Sequence, residues 1–255
     1  ALDATVSVHD NTAVGYQALT NLSGGNSCTA VGSNALQECT TSDNTAVGMH
    51  ADKSTTTGNY VTAVGRRCLE ANTTGIYNTA VGGLALDANT TGGNNTAVGY
   101  NSLGAMQTGS RNVAVGSATL DSCTSSDNTA VGYEALTSVT SGNSNTAVGA
   151  NCLENCTGSD NTAIGHRALR ANTSASGNTA MGRFAMDANT TGTQNVAIGA
   201  YSLDANTTTS DHTAVGYQAL TANTSGSRNT ALGHRAMYTC TGGTNNVAVG
   251  TSALY

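Results

Sequence analysis

Two rows of residues carry the side chains most able to do chemistry in this chain. The first row joins Tyr or His with Arg in short pairs: Tyr16-Gln17, Arg66-Arg67, Tyr100-Asn101, Tyr133-Glu134, His166-Arg167, Arg183-Phe184, Tyr217-Gln218 and His234-Arg235. Tyr and Arg side by side can hold a sugar or a partner surface by ring stacking and paired hydrogen bonds. The bland alternative is a variable corner under little constraint. The second row is acidic, with Glu70 and Asp87, then Asp187 and Asp204, each pair 17 residues apart. If the chain stacks at that interval, the carboxylates come within roughly 5 Å, near the separation used by retaining glycosidases. No cleft is evident around them, and a solvated or cation-bridged row accounts for the pattern as well.

Other chemistry is absent from the pattern. His9, His50, His166, His212 and His234 share no common position, so no metal site is expected. Nucleophile elbows and phosphate loops are missing too, and no cofactor is implied. Of the seven Cys, Cys39, Cys123, Cys156 and Cys240 stand where neighbouring repeats have Asn, while Cys68 and Cys152 replace Ala or Ser. They read as small residues in tight slots and leave the redox compartment open. The net charge of −6 argues against nucleic acid, which needs clustered Lys and Arg. No run reaches the ~20 apolar residues that span a bilayer. Ala1-Leu2-Asp3 lacks the basic start and apolar stretch of a signal peptide, so the chain reads as a mature product or a segment of something longer.

The elements that position these rows come from one repeated word, Asn-Thr-Ala-Val-Gly. Its Gly recurs from Gly15 to Gly250 in steps of 17 residues eleven times and 16 residues three times. The short steps follow turns ending at Asp43, Asp127 and Asp160, so length varies at one corner only. Counting each Gly as zero, position −1 is Val, Ile, Met or Leu, +3 is small, and +4 is Leu or Met in fourteen of fifteen repeats, Asp52 being the exception. A polar turn rich in Gly, Thr and Ser lies near +10. Each repeat is therefore expected to form a short strand, a Gly corner, a second short strand and a polar corner. The fold class is all-β: a parallel β-solenoid of about 15 coils, with residues 1–10 as an entry segment and 11–255 as one continuous array. At ~4.8 Å per coil the stack would run very roughly 70 Å. Val and Leu ladders should make a dry interior, and Asn72, Asn89, Asn172, Asn189, Asn206 and Asn223 should stack their amides.

Position −2 is Ala in every repeat: Ala13, Ala30, Ala46, Ala63, Ala80, Ala97, Ala114, Ala130, Ala147, Ala163, Ala180, Ala197, Ala214, Ala231 and Ala248. Strand side chains alternate between faces, so −2 opposes −1. With Val inside, an unbroken Ala stripe points outward and is expected to pack against another chain. With the assignment reversed, the Val column needs the cover. Either way, lateral association is expected.

Asn112-Val113-Ala114-Val115-Gly116 and Asn195-Val196-Ala197-Ile198-Gly199 resemble the head repeats of YadA-like trimeric autotransporter adhesins, although the coils here are longer. The variant Asn11–Leu19 is similar to repeats of phage and large-virus tail fibres. The resemblance implies a left-handed β-roll assembled as a homotrimer, outside the cell, on its surface or on a virion, with no enzymatic activity. It further implies a structural shaft that joins other fibre or baseplate segments and reaches a cell-surface glycan or receptor. An ice- or surface-binding solenoid is the alternative, resting on the Thr row of Thr73, Thr90, Thr190 and Thr207. A polysaccharide-cleaving tailspike would rest on the acidic row.

Overall fold

In the computed structural model, residues 8–255 are described, so the expected entry segment lies outside them except for residues 8–10. The chain parts into two compact units, 1–127 and 128–255. The first carries seven strands, from β1 (Thr12–Val14) to β7 (Val113–Val115). The second carries eight, from β8 (Thr129–Val131) to β15 (Val247–Val249). Within each unit, neighbouring strands pair parallel in chain order and like falls on like, as in Ala80 on Ala97 or Ala180 on Ala197. Each unit is thus a parallel β-solenoid, with no helix among the described residues.

The expected second strand is not there. Positions +1 to +5 form consecutive turns, with the +2 and +4 residues in the left-handed region: Arg67 at φ 59° and Leu69 at φ 52°, for example. Nothing in a Leu signals that conformation, which costs an L-residue roughly 1–2 kcal/mol. Burial decides the matter, since hiding a Leu returns roughly 1.5–3 kcal/mol, and Leu36, Leu69, Leu86, Leu103, Leu153 and Leu203 have 0% exposure. The turns still bond from coil to coil, as in Leu69 N–H to Ala85 O at 3.0 Å and Arg67 N–H to Met49 O at 2.9 Å. At position zero, coils approach too closely for any side chain. A Cβ on Gly82, whose φ is +137°, would stand 2.3 Å from the Gly99 oxygen.

The interior is narrower than the sequence suggests, and that reverses the strand. The Ala row, expected to face outward toward another chain, faces into its own coil: from Ala30 to Ala231 it has 0% exposure. The opposing wall explains why. Ser102 Oγ, a buried +3 side chain, donates to Ala114 O at 3.1 Å, so the turns after the glycine lie close against the strand. Val, expected inside, stands outside instead. Val64, Val81 and Val98 are each 37% exposed, as is Val131, with Ile164, Met181 and Ile198 at 36–39%.

Two amide ladders complete the core. Asn89 Nδ2 donates to Asn72 Oδ1 at 3.0 Å and Asn206 Nδ2 to Asn189 Oδ1 at 3.0 Å, as the repeated +7 Asn implies. The Asn at −4 ties its coil to the next one twice: Asn78 accepts from Asn95 N–H at 3.0 Å and donates to Gly92 O at 2.7 Å. Ala97→Leu should therefore destabilise by about 1–3 kcal/mol through overpacking, whereas Val98→Thr, one residue on and facing out of the coil, should lower the melting midpoint much less. Calorimetry of the two variants checks which face is the core.

Candidate functional site

The first row of interest stands on the corner just after the tight glycine, where +1 and +2 side chains project from a turn fixed by a left-handed residue. In the first unit Tyr16 (70%) and Tyr100 (61%) are exposed, Arg66 is exposed, and Arg67 is tied to Glu70 three residues on. Tyr133 of the second unit is also exposed. The rest of the row converges in the second unit. His166 meets the Phe184 ring edge-on at 5.4 Å, Phe184 stacks on Tyr201 at 5.3 Å, Tyr201 meets Tyr217 at 6.2 Å, and Tyr217 stacks on His234 at 5.5 Å. Sequence reasoning passes over Tyr201 because the column switches between the +1 and +2 positions from coil to coil. A second stacked pair at the polar corner, Tyr60 and Tyr77 at 5.0 Å, carries no signal in the repeat pattern either.

Arginines flank this column. Arg167 lies 4.8 Å and Arg183 4.5 Å from the Phe184 centroid, distances at which a guanidinium is drawn to the ring face. Arg183 Nη1 also donates to Tyr201 OH at 2.9 Å, and Arg235 Nε to Gln218 Oε1 at 2.9 Å. Stacked rings cover one another's faces, so the column offers ring edges, hydroxyls and guanidinium groups. It suits hydrogen bonding along an extended surface better than stacking of single sugars.

One carboxylate of each acidic pair, Glu70 and Asp187, is committed to basic partners. Burial alone would push Glu70 up, but hydrogen bonds from Arg67 and His50 (2.9 Å) hold it below the usual carboxylate range. Asp187 takes Arg170 Nε at 2.9 Å and Arg167 Nη2 at 3.4 Å. Asp87 and Asp204 are raised, first by burial; Asp204 is raised further by the charge of Asp187. Among the described residues no group of three or more His, Cys, Asp or Glu is placed to hold a metal, and no pocket is present. The Thr row at the polar corner spends its hydroxyls on the next coil: Thr73 Oγ1 donates to Thr90 O at 2.9 Å and Thr190 Oγ1 to Thr207 O at 2.9 Å.

One buried group breaks the repeat. Asp52 takes the +4 place that other coils give to Leu or Met and has 0% exposure. Its Oδ1 accepts from the Thr55 hydroxyl, itself an acceptor for Asn72 Nδ2 at 2.8 Å, while Oδ2 has no partner. Burial pushes this carboxyl up to about 7.

Comparison with family models, with curated proteins and with solved structures finds no match to this chain.

Between the unfolded value near 4 and the folded value, native Asp52 keeps a proton that the unfolded chain has released. Its contribution to stability is therefore full below about pH 4, declines as the pH rises to about 7 and is flat above. Across that range the loss amounts to roughly 4 kcal/mol at most. Asp52→Leu, which restores the repeat, should raise the melting midpoint at pH 8 and narrow its difference from wild type at pH 4. Denaturation followed between those pH values reads the outcome.

Proposed function

We propose that this chain is a shaft segment of an extracellular or virion fibre, built to associate with copies of itself and most simply as a homotrimer. The outward −1 column carries the reading. A line of Val, Ile, Met and Leu runs along each unit, more than a third exposed at every coil but that of Val215, and flanked by Thr or Val at −3 and by glycine. Exposed apolar strips of that regularity mark interaction surfaces. The substitutions within the column preserve apolarity while changing shape (Ile164, Met181, Ile198, Leu232), as expected where another protein packs and adjusts. A partner whose side chains recur at the same coil spacing fits such a strip throughout, and a second copy of this chain has that spacing. The +1/+2 row of Tyr, His and Arg remains on a different face, free to meet a cell-surface glycan or receptor. Further fibre or baseplate segments would join at the ends.

An ice- or surface-binding solenoid is supported by one observation: the outward strand face sets a Thr column at −3 beside the Val column at −1, both in register within each unit. Met181 and Leu232 interrupt the regularity that such a face requires, which favours the self-associating reading.

Light scattering separates the two. The fibre reading expects a mass near three times the 25.3 kDa chain. Val81→Glu with Val98→Glu should reduce it to one chain without loss of the β-sheet signal. A wild-type monomer that shows thermal hysteresis would replace the fibre reading with the ice-binding one.

A further inference from the structure

Cys28 and Cys39 belong to one coil, at four residues before and seven after Gly32, and no other coil carries Cys at both places. The two slots meet across the interior. In the coil of Gly216 they are filled by His212 and Asn223, whose side-chain nitrogens lie 3.1 Å apart. In the coil of Gly32 both sulfurs converge on one oxygen: the Thr41 carbonyl lies 3.2 Å from Cys28 Sγ and 3.4 Å from Cys39 Sγ. Asn44 Nδ2 closes on the same site, donating to Cys39 Sγ at 3.5 Å. Both cysteines have 0% exposure.

The pair occupies this place at the expense of the amide ladder. Elsewhere the −4 Asn accepts the N–H of the next coil, as Asn44 accepts from Val61 at 3.0 Å. At Cys28 that carboxamide is gone, and the Asn44 N–H faces sulfur. A filler alone would not call for sulfur at both slots, since Leu22 and Val61 fill the same positions in neighbouring coils.

We propose that Cys28 and Cys39 form a disulfide that staples this coil across its interior when the chain folds in an oxidising environment. The oxidant is a low-molecular-weight disulfide, RSSR. The Cys39 thiolate attacks one sulfur of RSSR, forming a mixed disulfide and releasing RS⁻. Cys28 then gives its proton to solvent and attacks the Cys39 sulfur, forming the Cys28–Cys39 bond and releasing the second RS⁻. Two electrons and two protons pass from the pair to RSSR, which leaves as two RSH. The exchange belongs to folding, because both sulfurs are enclosed once the coils stack. While the site is still open to solvent, the ionised fraction of an ordinary thiol supplies the thiolate. In the folded chain burial drives Cys68 and Cys152 up to about 12; Cys68 is alone in its coil, while Cys152 and Cys156 share one but turn their sulfurs to different carbonyls, Ala163 O at 3.2 Å and Gly158 O at 3.3 Å. The inference does not depend on the fibre reading.

The test uses the full chain, refolded from the reduced, denatured state in a mixture of oxidised and reduced glutathione. Remaining thiols are alkylated in denaturant, and a glutamate-specific protease cuts after Glu38, the one Glu between the two cysteines. The expected product is a single species joining the Cys28 and Cys39 peptides, separated by reductant, with the other five cysteines alkylated. In Cys28→Ser, Cys39 should be recovered alkylated. Separate, alkylated Cys28 and Cys39 peptides from the wild type would overturn the proposal. So would bridges spread among the seven cysteines, or a Cys39 that finds a new partner in Cys28→Ser.

Discussion

The closeness of the two walls of each coil governs the rest of the structure. With the turns after the glycine lying close against the strand, as Ser102 Oγ on Ala114 O shows, the strand can offer only a methyl inward, so −2 is Ala from end to end. Where coils touch at the corner, even a methyl is excluded and Gly is required. Larger side chains fit at −4, +4 and +7, where Asn, Leu and Asn are buried. A core this thin cannot rely on bulk. It relies on stacking like on like, so that each Leu covers the Leu below and each carboxamide answers the next.

That dependence makes departures from the repeat informative. Asp52 breaks a column of Leu and recruits Thr55 and Asn72 to satisfy one of its oxygens. Cys28 and Cys39 break the Asn columns together, in the same coil. These substitutions lie near one another, since the charge of Cys39 contributes to the raised Asp52 carboxyl and that of Asp52 to the raised Cys68 thiol. The second unit breaks its buried Asn columns too, at Val139, Cys156 and His212, and on its surface rings and guanidinium groups line up along one corner.

The period, the parallel stacking, the Asn ladders and the variable corner row are all legible in the sequence, because each is a matter of residues recurring at one interval. Three features are not. Alternation in a strand separates Ala from Val but does not say which is inside, and both faces are apolar; only the distance to the opposite wall decides. Leu69 and its equivalents give no sign of a left-handed backbone, so the turns after the Gly corner pass for a strand. Tyr201 escapes because its ring joins Phe184 in one neighbouring coil and Tyr217 in the other, a contact that crosses from one repeat position to another.

Length variation sits at the polar corner alone, and the shorter steps that end at Asp43 and Asp160 leave the strands on either side in register. A coil that keeps the repeat at its buried positions is therefore interchangeable with another such coil. Unequal recombination between two such repeats would add or remove whole coils and leave each new junction as well packed as the old ones. A lineage carrying this gene can thus alter how many coils the protein carries in a single genetic event, with no compensating substitutions needed elsewhere.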